Sequence, residues 1–217
     1  MEGGRVLVVL SGCGNRDGSE IHESTAALIA LDEAGLEAVC TAPRVAQKKT
    51  VSHITGGDLP GRNAFEESAR IARGKVKPLE SIKASDYDAV LFPGGMGAAL
   101  TLCTYAQDGP SCSVLPGIEE LVHSAHGAGK PIAAMCIAPM ILARLLPGVL
   151  LTLGRECEAA EHARAMGARH RECGALDAVV DASMKVVTTP AYMVAEGPSE
   201  VLSGARRMVE ELRKLMA

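Results

Sequence analysis

The chain has 217 residues, of which 47% are hydrophobic and 22% charged, and its formal net charge is −4 at pH 7. This balance is typical of a globular protein, and the length fits one α/β domain over 1–217. A negative charge, without any stretch that combines basic and aromatic residues, gives no basis for binding nucleic acid or an anionic membrane. We therefore expect neither as a partner.

Seven cysteines are spread along the chain, an odd number with no CxxC pair among them. The first residues lack the basic and apolar regions of a secretory signal. No apolar run approaches the roughly 18 residues of a membrane span. Reduced thiols in a reducing compartment are therefore expected. This predicts a cytoplasmic protein, or a mitochondrial one if a presequence precedes the given chain.

Short apolar runs alternate with helical patterns along the whole chain. The runs that predict strands are 6–10, 38–40, 89–92, 131–135, 178–180 and 185–188. A continuous apolar run is expected of a parallel strand that is covered on both faces. The last two runs flank the polar turn 181–184, which favours a hairpin.

Apolar residues at helical spacing predict a helix over 118–125 and a long amphipathic helix over 201–215. Alternating strands and helices predict an α/β fold, with a mostly parallel sheet between two layers of helices. The polar, glycine-rich stretch 43–62 and the stretch 104–116 are expected to run over the surface.

Cys136 directly follows the predicted strand 131–135 and lies between Ala134 and Ala138. Small residues two positions before and after a nucleophile are typical of a nucleophile elbow, a strand-to-helix turn too tight for larger side chains. Pro139 suits the first turn of the next helix, where its missing N–H is not needed. Because the free N–H groups and dipole of a helix N-terminus favour a thiolate, we expect a lowered pKa for Cys136.

A buried structural cysteine is the alternative interpretation, and two features weigh against it. Gly94 and Gly95 follow the predicted strand 89–92 and could aim N–H groups at a ligand as an oxyanion hole, although a simple tight turn also explains them. Glu23 opens the first helix. Burial there would raise the pKa of Glu23 and favour a protonated carboxyl, which could donate a hydrogen bond to the Cys136 thiolate. Taken alone, Glu23 could merely complement the helix dipole. Together at one sheet edge, the three features predict a site.

Seven segments closely resemble the ElbB family, a branch of the ThiJ/PfpI, class I glutamine-amidotransferase-like superfamily. They extend over essentially the whole chain and are 11–14, 17–23, 67–74, 92–95, 129–131, 136–139 and 187–193. The resemblance implies a flavodoxin-like three-layer α/β/α sandwich and a homodimer. It also implies that Cys136 is the nucleophile and that Glu23 is its buried partner carboxylate.

The resemblance further implies that the N–H groups of Gly95 and Ile137 bind an oxyanion. We group Gly94 with them as a ligand-binding residue. Cys13, in the loop after the first strand, is expected to line the same pocket.

ElbB-like proteins are described as glyoxalases that act without glutathione, and relatives as deglycases. The resemblance therefore implies a glyoxalase-like lyase, with possible protein deglycase activity, and a small-molecule aldehyde as its partner. The Cys136 thiolate would form a hemithioacetal, Glu23 would move a proton between adjacent carbons, and hydrolysis would release glycolate from glyoxal. No metal or other cofactor is expected, because the six histidines show no ligand spacing with carboxylates or thiols.

The chain departs from the superfamily pattern in one region. Many members carry a histidine shortly after the strand that follows the elbow helix, whereas 150–156 contains none. Without that base, slow turnover is expected. His22 is expected to point away from the site. Weaker candidates for lining residues are Asn15, Asp17, Thr189 and Tyr192.

The sequence leaves two alternative functions open. A reactive thiol beside a carboxylate is readily oxidised, which predicts a redox sensor or a non-catalytic binding protein. An amidotransferase subunit that passes ammonia to a partner is the other alternative, and the missing histidine weighs against it.

Overall fold

The computed structural model describes residues 3–217, which contain nine strands and seven α-helices. The strands are β1 Arg5–Val9, β2 Glu37–Ala42, β3 Val76–Pro78, β4 Ala89–Phe92, β5 Ile132–Met135, β6 Leu150–Leu151, β7 Arg169–His170, β8 Val179–Asp181 and β9 Val186–Thr189. The helices are α1 Ile21–Glu33, α2 Ala64–Ile71, α3 Tyr105–Asp108, α4 Pro116–Gly127, α5 Pro139–Leu145, α6 Glu158–Ala165 and α7 Pro198–Met216.

Seven strands form one sheet in the order β3-β2-β1-β4-β5-β9-β8, and β6 pairs separately with β7. Neighbours in the large sheet are parallel except for β8 and β9. One apolar cluster joins the sheet to α1 and α7, and a second joins it to α4, α5 and α6. The predicted α/β class is confirmed as a flavodoxin-like three-layer sandwich.

All six predicted strands are present, with ends that differ by at most two residues. The predicted hairpin is also present, since β8 and β9 pair in antiparallel register across 181–184. The sequence patterns do not predict β3, β6 or β7. The strands β6 and β7 have only two residues each, and β3 carries Lys77 between Val76 and Pro78.

The core is aliphatic, as the composition predicts. The run 6–10 on and beside β1 is at most 1% exposed. Phe92, at the end of β4, is the largest fully buried side chain in the described part of the chain. Burial of this strand end fixes the position of the glycines that follow it.

The two predicted surface stretches behave differently. Residues 43–62 form no helix or regular strand and are held by isolated bridges at Ala46 and Val51. The stretch 104–116 is only partly superficial, because it contains α3 and the fully buried Cys112. A bridge between Cys103 and Val114 draws this stretch onto the core. Within residues 3–217, no helix combines the length and the apolar character needed to cross a bilayer.

Candidate active site

Cys136 lies at the tight turn between β5 and α5. Its φ of +58° is in the left-handed region, which non-glycine residues rarely occupy. Its N–H donates to the Thr189 carbonyl over 3.0 Å. Ala134 and Ala138 are fully buried, and Pro139 begins α5. The turn therefore has the geometry of a nucleophile elbow at the carboxyl edge of the sheet.

The Glu23 carboxylate lies beside the Cys136 thiol and is fully buried. Glu20 caps α1 by accepting the Glu23 N–H over 2.6 Å, which fixes the first helical turn. Glu23 Oε2 accepts the Gly94 N–H over 3.0 Å, and Oε1 accepts the Tyr192 N–H over 3.3 Å. A hydrogen bond between Glu23 and Cys136 completes the set. The carboxylate is thus held by groups from three separate segments.

Burial raises the pKa of Glu23 to about 7, and the nearby Glu20 carboxylate contributes in the same direction. This agrees with the raised pKa that sequence analysis expects. Hydrogen bonds from Cys136, Tyr192 and Gly94 oppose the shift. Near neutral pH, Glu23 can therefore both accept and return a proton, as general acid–base catalysis requires.

The expectation of a lowered pKa for Cys136 is wrong. Burial raises its pKa well above the ordinary value, and the charge and hydrogen bond of Glu23 raise it further. A helix N-terminus favours the thiolate, but burial and Glu23 outweigh it, and the N–H groups of Gly95 and Ile137 offset only part of the rise in pKa. A thiolate forms here when the proton moves from Cys136 to Glu23, so the two groups act as one proton-sharing pair.

Two backbone N–H groups, those of Gly95 and Ile137, hydrogen-bond the Cys136 thiol. They are the two donors that the resemblance implies, and the structure brings them together. The N–H of Gly94 is instead bound to Glu23, so Gly94 positions the carboxylate and does not face a ligand. Its assignment to the ligand-binding set is corrected on this ground.

Gly94→Ala is expected to disrupt the site. The added Cβ would overlap Cys136 Cβ and Glu23 Oε2, so the pair must separate. Overpacking of this kind costs about 1–3 kcal/mol in the free energy of unfolding. Urea unfolding and alkylation of Cys136 measure the two effects. Gly127→Ala on α4 is the matched control, because its Cβ meets nothing within 4 Å. Equal stability and unchanged alkylation in Gly94→Ala would contradict the packing described.

An open cleft of about 610 Å³ leads to the cysteine. It is lined by Asn15, Glu20, His22, Glu23, Gly95, Met96, Cys136, Ile137, Tyr192 and Met193. A larger cleft of about 760 Å³ lies between 79–85 and α4 and shares no lining residue with it. The smaller cleft is the candidate active site, since it holds the nucleophile, the carboxylate and both N–H donors.

His22 is the main residue that sequence analysis misplaces. It lines the cleft, and its Nδ1 lies 2.7 Å from the Tyr192 hydroxyl. The signal for this contact is absent from local sequence, because the partner comes from a segment 170 residues away. Asn15 and Tyr192 line the cleft as expected. Thr189 does not, and contributes its carbonyl to the Cys136 N–H instead.

Cys13 and Asp17 also lie outside the cleft lining. Positive φ values of +112° at Gly12 and +138° at Gly14 turn the loop, and the half-buried Cys13 thiol lies near Glu67 of α2. The Asp17 carboxylate is buried and accepts the backbone N–H of Val51 over 2.9 Å. The expectation that Cys13 lines the pocket is therefore corrected, because the turn directs it to α2.

All seven cysteines are free, and no disulfide constrains the site. Within residues 3–217, no group of three or more histidine, cysteine, aspartate or glutamate side chains is arranged to hold a metal ion.

The three-layer sandwich with its elbow cysteine and buried carboxylate is that of an amidotransferase-like protein. The crystal structure of an isoprenoid biosynthesis protein with an amidotransferase-like domain from Ehrlichia chaffeensis matches with a TM-score of 0.89 and 32% identity, over 97% of this chain and 99% of that chain. Glyoxalase III from Candida albicans shares the fold, with a TM-score of 0.60 and 17% identity over 95% of this chain and 96% of its own.

Two sequence relatives identify the family to which the chain belongs. The mitochondrial ES1 protein homolog of Rattus norvegicus is 42% identical over 97% of this chain and 84% of its own length. The human mitochondrial glutamine amidotransferase-like class 1 domain-containing protein 3 is 43% identical over 97% of this chain and 83% of its own. The chain belongs to this ES1 family of amidotransferase-like proteins. No protein-family model matches it.

Proposed function

We propose that the protein converts glyoxal, or a similar 2-oxoaldehyde, to the 2-hydroxy acid without glutathione. The observation that carries this proposal is the hydrogen-bonded Cys136–Glu23 pair, which lines an open cleft. The N–H groups of Gly95 and Ile137 lie where an oxyanion would form. The same fold supports glyoxalase III in Candida albicans. Membership of the ElbB branch and deglycase activity belong to this proposal as well.

The first step forms a bond between Cys136 and the aldehyde. The thiol proton moves to Glu23, the sulfur attacks the carbonyl carbon, and the carbonyl electron pair moves to oxygen. The N–H groups of Gly95 and Ile137 stabilise that oxygen until Glu23 returns the proton to it. The product is a hemithioacetal, and Glu23 is ionised again.

The second step is an isomerisation, so it needs no oxidant or reductant. Glu23 removes the proton from the carbon bonded to sulfur and returns it to the neighbouring carbon. The hydroxyl proton on the first carbon passes to the oxygen of the second. A carboxyl with a pKa of about 7 suits both transfers. The result is a 2-hydroxyacyl thioester on Cys136, which water must hydrolyse.

The structure favours this function over the two alternatives. A redox sensor needs an accessible thiolate of low pKa, whereas burial and Glu23 raise the pKa of Cys136. Glutamine hydrolysis usually relies on a histidine base after the elbow helix, and 150–156 contains no histidine. Aldehyde isomerisation needs only the thiol and one carboxyl that changes protonation.

Cys136→Ser is expected to abolish glycolate formation from glyoxal in the absence of added thiols. Serine keeps the size but is a far weaker nucleophile at neutral pH, so no hemithioacetal forms. Coupled detection of glycolate measures the rate. Cys157→Ser is the matched control, because Cys157 lies at the N-cap of α6 and outside the cleft. Equal rates for wild type and Cys136→Ser would overturn the proposed function.

We also propose a reducing compartment, the cytoplasm or the mitochondrion. Two lines support this placement: the seven free thiols, and the mitochondrial names of the rat and human relatives. A homodimer is part of the same proposal. Light scattering on the purified protein measures the oligomeric state.

A further inference from the structure

His22 and Tyr192 form a hydrogen-bonded pair in the wall of the cysteine cleft. His22 Nδ1 lies 2.7 Å from the Tyr192 hydroxyl, and the two rings are tilted with centroids 5.8 Å apart. His22 is exposed to the cleft on the first turn of α1. The Tyr192 hydroxyl therefore holds Nδ1 of the ring in place, while the exposed side of the ring faces the cleft.

Tyr192 links this histidine to the rest of the site. Its hydroxyl bonds His22, while its backbone N–H donates to Glu23 Oε1 over 3.3 Å. Glu23 in turn bonds the Cys136 thiol. A single residue thus sets the position of the histidine relative to the carboxylate and the nucleophile.

Glu23 is poorly placed to activate the water that hydrolyses the thioester. Its side chain is fully buried, and its two oxygens are engaged by Gly94, Tyr192 and Cys136. Water must reach an acyl group on Cys136 through the open cleft, which His22 lines. His22 is also the only histidine among the residues that line this cleft.

We propose that His22, oriented by Tyr192, is the general base for hydrolysis of the Cys136 thioester; this role rests on the proposed function. His22 takes a proton from water as the water oxygen bonds to the thioester carbon. The tetrahedral intermediate then collapses and the C–S bond breaks. The thiolate takes its proton from the acid that is released, and protonated His22 gives its proton to solvent. His22 thereby replaces the base that is absent from 150–156.

The test combines steady-state rates with trapping of the acyl-enzyme. His22→Gln is expected to lower kcat for glyoxal by about 10²-fold or more. The glycolyl thioester should accumulate on Cys136, where hydroxylamine converts it to a hydroxamate. Free imidazole should partly restore kcat in His22→Ala. Tyr192→Phe, which removes the positioning bond, should lower kcat by a smaller factor with KM unchanged. His123→Gln on α4, outside the cleft, is the matched control.

The outcomes separate this proposal from the one on which it rests. Wild-type turnover in His22→Gln, or a slow variant that accumulates no thioester, would overturn the role of His22 while the Cys136 chemistry stands. Circular dichroism excludes misfolding as the cause of a slow rate. Equal rates for wild type and Cys136→Ser would overturn the proposed function itself, and the role of His22 with it.

Discussion

Glu23→Gln is expected to lower kcat for glyoxal by about 10²–10⁴-fold, the range typical of losing a general acid–base group. Glutamine keeps the shape of the side chain and can still accept the Gly94 N–H that Glu23 Oε2 accepts over 3.0 Å. It cannot take the proton from Cys136 or carry a proton between the two substrate carbons. Both chemical steps should therefore slow. The glutamine NH2 group cannot accept the Tyr192 N–H that Glu23 Oε1 accepts over 3.3 Å, so this hydrogen bond is lost while the rest of the fold is kept.

Steady-state kinetics with glyoxal measure this effect. Glu33→Gln is the matched control, because Glu33 is an exposed residue at the other end of α1 and pairs with Arg206. We expect the control to keep the wild-type rate. A Glu23→Gln variant that retains kcat within a factor of about two, far less than a lost proton-transfer group costs, would show that another group moves the proton.

The second large effect is on stability, and it concerns the same carboxyl. Burial raises the pKa of Glu23 from 4.5 to about 7 in the folded protein. Below pH 4.5 both folded and unfolded states hold this proton. As the pH rises towards 7, the unfolded state loses the proton first and is favoured. Through Glu23, the free energy of unfolding therefore falls by about 3 kcal/mol between pH 4.5 and 7 and does not change further above pH 7.

Urea unfolding of wild type and Glu23→Gln at pH 5 and at pH 8 measures this linkage. The difference in unfolding free energy between the two proteins should shift in favour of the variant on going to pH 8, because glutamine does not ionise. Using the difference cancels the contributions of other titrating groups. A difference that stays the same at both pH values would show that the pKa of Glu23 is not raised in the folded protein.

Much of the fold follows from short-range pattern. The apolar runs predict six of the seven strands in the large sheet, because strands covered on both faces must be largely apolar. The strands β6 and β7, with two residues each, carry no such signal. The stretch 104–116 looks polar, yet the bridge between Cys103 and Val114 brings it onto the core.

The features of the site are likewise predictable from the sequence only in part. The position of Cys136 follows from Ala134 and Ala138, because a tight turn requires small neighbours. Its raised pKa does not follow from the sequence, since burial and the charge of Glu23 outweigh the helix terminus. The contact of His22 with Tyr192 depends on how α1 meets the segment after β9, which only the assembled sheet determines.

The central claim is that Cys136 and Glu23 together isomerise a 2-oxoaldehyde. Its most direct test is proton NMR of glyoxal incubated with the purified protein in deuterated water. Wild-type protein should form glycolate, in which the second carbon carries the proton passed on directly by Glu23, or a deuteron where the proton on Glu23 exchanges with solvent first. Cys136→Ser should form none of this product. Glycolate formed by Glu23→Gln at the wild-type rate would contradict the Glu23 shuttle, and absence of any Cys136-dependent glycolate would contradict the function.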